Sequence, residues 1–173
     1  DQQNMERAGH EALLAKHSVR GQVKDSLKQS AANMAKPKGI VVIFNGHGQD
    51  MYDEHANPGA DNNQLNDQAD RLRADGYVVI EVNSDAMGDR PQLGFDEISS
   101  SALKIVADAV TLVSANGGGG VPVTIEGYSR GGGDAVALKN YLTDNNLISA
   151  DRIQTISMDP YAGGGNDRIH DTG

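Results

Sequence analysis

The run Gly127-Tyr128-Ser129-Arg130-Gly131 sets a serine between two glycines at the spacing G-x-S-x-G. That spacing suits a nucleophile elbow, a sharp strand-to-helix turn that lifts a serine hydroxyl out at a sheet edge. A hydroxyl is a weak nucleophile until a base takes its proton, so the chemistry implied is acyl transfer assisted by a histidine. The glycines answer a steric need, because side chains beside the strained serine would crowd the turn. So short a pattern also arises by chance, and the bland alternative is an ordinary glycine-rich turn. The flanks favour the elbow. Residues 121–126 (VPVTIE) are short and β-branched and predict a strand. Residues 131–142 (GGGDAVALKNYL) predict a helix with Val136, Leu138, Tyr141 and Leu142 as its apolar residues.

The elements that must position this serine follow the same alternation. Residues 39–44 (GIVVIF) form a continuous apolar run, as in a strand buried on both faces. It ends in Asn45-Gly46-His47-Gly48, and a polar loop continues to about Asn63. Residues 64–75 predict a helix closed by Gly76, and residues 77–82 (YVVIEV) a second strand. Asp96 has the type of an N-cap for the helix carrying Ile98, Ala102, Ile105, Val106, Ala109, Val110 and Val113. Residues 152–158 (RIQTISM) predict a fourth strand, ending in Asp159-Pro160. Residues 3–35 predict two polar helices broken near Ser18–Gly21 and ended by Pro37. Strands alternating with amphipathic helices imply βαβ crossovers, hence a mainly parallel sheet in a three-layer α/β/α domain. Chemistry in such sheets gathers at the carboxyl ends of the strands, where Asn45–Gly48, Gly127–Gly131 and Asp159 all fall.

Composition narrows the classes. A length of 173 residues predicts one domain, with residues 1–38 a helical extension and 39–160 the core. The absence of cysteine excludes disulfides, thiolate metal sites and a cysteine nucleophile. A net charge of −9 with no basic cluster argues against nucleic acid as a partner. No apolar run reaches membrane-spanning length, and no phosphate-binding glycine loop or dinucleotide fingerprint is present, so no cofactor is expected. Asp50, Asp53, His55 and Asp61 make an acidic loop, but their spacing matches no calcium loop. No metal is therefore expected, and a loop this long suits a lid over Ser129. Asp134, one turn into the predicted helix, complements that helix's positive end.

On these residues the chain resembles the α/β-hydrolase superfamily over about residues 39–160, in a small lipase- or cutinase-like form. The elbow Gly-Tyr-Ser-Arg-Gly-Gly is similar to that of bacterial effector lipases, and Met158-Asp159-Pro160 resembles the Leu-Asp-Pro of animal lipases. The resemblance implies Ser129 as nucleophile and Asp159 as the acid that orients the base. It implies an oxyanion hole from the backbone N–H groups of Arg130 and Gln49, each donor typically worth about 3–4 kcal/mol. The family's histidine follows the acid in chain order, which leaves His170; the alternative there is an uninvolved histidine near the chain end. Eleven residues after Asp159, it resembles the cutinase arrangement in which acid and base share one loop, here given freedom by Gly163-Gly164-Gly165. His47-Gly48 takes the family's structural place after the oxyanion strand. The expected substrate is a small-molecule or lipid ester, and the elbow's likeness suggests a secreted or delivered effector or toxin domain. The family usually carries more strands than the four predicted, so the expectation is either a minimal version or a chain lacking a C-terminal segment. A peptidase or thioesterase on the same residues, and a non-catalytic module that kept the elbow, remain alternatives.

Overall fold

The apolar runs become the strands of one sheet, because each is buried on both faces by helices returning over it. The computed structural model describes residues 18–45, 61–88, 98–128, 131–159 and 168–171. Strands β1 (Ile40–Asn45), β2 (Val78–Asn83), β3 (Val123–Tyr128) and β4 (Ile153–Asp159) run parallel, and β5 (Arg168–Asp171) pairs antiparallel with β4. Their order is β2-β1-β3-β4-β5. The ends of the four parallel strands are displaced by one or two residues from those predicted.

The fold departs from expectation in three places. The sheet has a fifth strand, which residues 168–171 (RIHD) do not announce. With one apolar residue in four, the segment becomes a strand only through its pairing with β4. Among the helices, α1 (Val19–Gln29) starts at Ser18, whose side chain caps Gly21 N–H at 3.1 Å. It stops well short of Pro37, and a 3₁₀ turn (Ala31–Asn33) follows. The preceding helix expected before Ser18 lies outside the described residues. Helices α2 (Asp61–Ala74), α3 (Ser100–Asn116) and α4 (Gly131–Asp144) complete the described set. Ser99, not Asp96, is the N-cap of α3: its Oγ accepts from Ala102 N–H at 3.3 Å. Gly76 does close α2, with φ of +100°, a conformation open to glycine.

Helices cover both faces. Val41, Ile43 and Val79 pack under α2, with Ala69 at their centre and Leu72, Tyr77 and Tyr128 at the margin. The opposite face, with Ile40, Val42, Phe44, Ile80 and Ile125, holds the larger core beneath α1, α3 and α4. Right-handed crossovers require this split. The chain steps from β1 to β2 in one direction through α2. It then returns past β1 to β3 and on to β4 in the other, through α3 and α4.

The free edge of β2 is closed by side chains rather than by another strand. Gln22, Ser26 and Ser30 stand four residues apart along α1 and its C-cap. Gln22 Oε1 accepts from Asn83 N–H (2.7 Å), Ser26 Oγ from Glu81 N–H (3.0 Å) and Ser30 Oγ from Val79 N–H (3.1 Å). Asn33 Nδ2 continues the line by donating to Tyr77 C=O at 2.9 Å. Four residues of helix rise about 6 Å and two of strand about 6.6 Å, so the two ladders stay in step. Replacing Ser26 by Ala leaves the buried N–H of Glu81 without its partner. The expected cost is about 1–3 kcal/mol for Ser26→Ala, with a similar further loss in the Ser26→Ala/Ser30→Ala double variant. Urea unfolding checks the first; self-association of the double variant, seen by analytical ultracentrifugation, checks whether the edge has opened.

Candidate functional site

Topology marks one place before any motif is consulted. The crossover leaving β1 and the crossover leaving β3 turn to opposite faces, so a crevice opens between the carboxyl ends of these strands. β1 ends there at Asn45 and β3 at Tyr128. β3 ends at Tyr128 and α4 begins at Gly131, so the strand and the helix fall where the G-x-S-x-G spacing requires them.

The flanking glycines make that arrangement sterically possible. A Cβ on Gly127 would strike the carbonyl of Gly131 and lie 2.6 Å from Gly132 Cα. A Cβ on Gly131 would strike the Phe44 carbonyl oxygen, with its carbon at 2.9 Å. The start of α4 is thus pressed against β3 and against the end of β1, which any side chain would prevent. Asp134 in the first turn is 3% exposed and accepts from Ser84 Oγ at 2.6 Å. Beyond complementing the positive end of α4, it therefore ties that helix to the 3₁₀ turn (Ser84–Met87) that follows β2.

The other residues singled out from the sequence fall as follows. Asp159 is the last residue of β4, in register with Arg168 on β5. His170 lies on β5, in register with Ser157, rather than in a loop. The chain does reverse after Asp159, and the strands bearing the expected acid and base are neighbours. Ser129, Arg130, Gln49 and His47 lie outside the described residues, as do Asp50, Asp53 and His55. No group of three or more potential metal-ligating side chains occurs among the described residues. None of the described helices is long and apolar enough to cross a membrane.

Sequence reading passed over a polar patch on the α2 side of this crevice. Asn45, wholly buried, donates from Nδ2 to Asn83 Oδ1 at 3.3 Å. Two register rows deeper, on the same face, Glu81 and Glu126 flank Ile43. Arg73 of α2 donates to Glu81 at 2.9 Å, both side chains being 9% exposed. Gln68 of α2 donates to Glu126 at 3.2 Å and accepts from the Tyr128 hydroxyl at 3.3 Å. Burial pushes both carboxyls up from their ordinary value, and for Glu81 it outweighs the lowering by Arg73. Burial first, then Glu126, pushes the Tyr128 phenol up to about 12, so it remains a donor at any physiological pH. A signal was present in the sequence: each acid interrupts an otherwise apolar run, VVIEV and VTIE.

Comparison with protein-family models, with curated proteins and with solved structures finds no match. The chain's class is therefore an α/β protein with a mainly parallel sheet, and its function rests on the site itself.

Proposed function

We propose that this chain is a serine hydrolase of the α/β-hydrolase type, cleaving an ester bond through an acyl-enzyme on Ser129. One observation carries the reading: at the topological switch point the end of β3 and the start of α4 lie so close that there is no room for a side chain at Gly127 or Gly131. Glycines so placed at the carboxyl edge of a parallel sheet suit a nucleophile elbow. The position of Asp159 at the end of the adjacent strand, with the strand of His170 beside it, adds support.

In this reading Ser129 Oγ attacks the ester carbonyl while His170 takes its proton and Asp159 holds the imidazole in the productive orientation. The backbone N–H groups of Arg130 and Gln49 receive the charge that builds on the carbonyl oxygen. Collapse breaks the bond to the alkoxy oxygen, which leaves with the proton from His170. Water, deprotonated by the same imidazole, then releases the acid. Small-molecule or lipid esters are the favoured substrates, on the resemblance of the elbow to lipases.

A fluorophosphonate probe tests this without knowledge of the substrate. Wild type is expected to label and Ser129→Ala not at all. His170→Ala is expected to label at least about 10³-fold more slowly. Loss with Ser129→Ala alone would assign the base elsewhere. No labelling of folded wild type would overturn the reading in favour of a non-catalytic module. Substrate profiling of a labelling protein separates esters from peptides and thioesters.

A further inference from the structure

Glu126 sits three residues before Ser129, 7% exposed, and has no part in the chemistry above. Its register neighbours are Ile43 on β1 and Ile156 on β4, both apolar. Its Oε1 accepts from Gln68, whose own oxygen accepts from Tyr128, and its Oε2 has no hydrogen-bond partner. The charged groups on α2, the helix packed over it, are Asp67, Asp70, Arg71 and Arg73 among the residues with described side chains. Arg73 is spent on Glu81, in the same row one strand beyond Ile43. Among the described residues no cation pairs with Glu126. The two buried acids are therefore unlike: one is answered by a guanidinium, the other by an amide and the neighbouring Tyr128 hydroxyl, both neutral.

An ionised carboxylate so buried and so weakly partnered would pay most of its dehydration cost uncompensated. We propose that Glu126 is a positioning residue held as the neutral acid, because α2 seated on β3 leaves its carboxyl without water and without a cation, so that the seated helix and the neutral form depend on each other. Ionisation then unseats the helix and frees Tyr128, the residue immediately before Ser129. The consequence for Ser129 rests on the serine-hydrolase reading; the seating of α2 does not. The sign is set by burial, which raises the folded-state value of Glu126 above its unfolded one. Its contribution is complete below the ordinary carboxylate range and is lost as pH rises through the folded value. Glu81 shares that direction, but its partner Arg73 remains charged throughout, so a neutral substitution at 126 isolates the one group.

The test is amide hydrogen exchange of α2 residues 67–74, corrected for intrinsic rate, in wild type and Glu126→Gln from about pH 5 to about pH 9. In wild type, opening of α2 is expected to rise about tenfold per pH unit above the ordinary carboxylate range until the folded value is passed, then level. Glu126→Gln is expected to show a clearly smaller rise, what remains being the share of Glu81. The same rise in both proteins, or none in wild type, would overturn the proposal. Should Glu126→Gln fail to fold, carbon-13 titration of wild-type glutamate carboxyls reads the proton directly, and a Glu126 ionised at neutral pH would overturn it equally. Fluorophosphonate labelling run alongside separates the two readings. An α2 transition without labelling at any pH removes the hydrolase and keeps the seating. Labelling without a transition does the reverse.

Discussion

Gly131→Ala is expected to destabilise the protein by about 3 kcal/mol or more, while Gly133→Ala, two residues on in the same helix, is expected to stabilise it by about 0.5–1 kcal/mol. The added methyl is the same and only the surroundings differ. At Gly131 it meets the backbone carbonyl of Phe44, which cannot yield without moving β1. At Gly133 it meets nothing within 4 Å, and the substitution only removes the entropy that glycine brings to an unfolded chain. Urea unfolding of the two variants checks the pair. A Gly131→Ala protein as stable as wild type would mean that α4 does not press against β1, and the argument for an elbow would go with it.

Arg73→Ala is expected to cost about 3–5 kcal/mol, although Arg73 stands on a helix whose outer face is polar. Its guanidinium donates to Glu81, Val79 C=O, Ser30 Oγ and Gln29 Oε1, so it joins α2, β2 and α1. Its removal strands a buried carboxylate. The deficit should depend on pH in a fixed direction. Burial already raises the folded-state value of Glu81, and losing Arg73 removes the main influence that lowers it. The variant therefore regains stability on acidification, as Glu81 takes a proton, and loses it as pH rises. Denaturation at about pH 5 and about pH 8 measures this, the gap to wild type being larger at the higher pH. Arg73→Lys is expected to recover only part of the loss, since an ammonium cannot reach four acceptors in the planar fork of an arginine. An equal gap at both pH values would show that the pair contributes through packing alone.

How much of this was legible in the sequence depended on whether a residue's role is local. Runs such as GIVVIF and YVVIEV suit burial on both faces of a parallel sheet, which the helices between them imply. The crowding at Gly127 and Gly131 was legible because glycine at both positions has a steric reason visible in the spacing. β5 was not, since RIHD owes its conformation to the partner strand. Nor was the role of α1. Gln22, Ser26 and Ser30 read as a solvated helix face, and nothing nearby in sequence shows that their partners are Asn83, Glu81 and Val79. Glu81 and Glu126 were visible as acids inside apolar strands, but which of them had a cation depended on how α2 lies across the sheet.

The helix along β2 also bears on the order of folding. Ser26 and the Glu81 amide it binds lie 55 residues apart, so α1 leaves the ribosome long before its counterpart exists. Early synthesis does not help it, because its polar stripe has nothing to grip until β2 has formed. Contacts of such separation carry a loop-closure cost that local ones do not. The first described helix is thus set to lock late, fastening a sheet already assembled. Substitutions along its stripe should then act mainly by quickening unfolding and leave the folding rate nearly untouched.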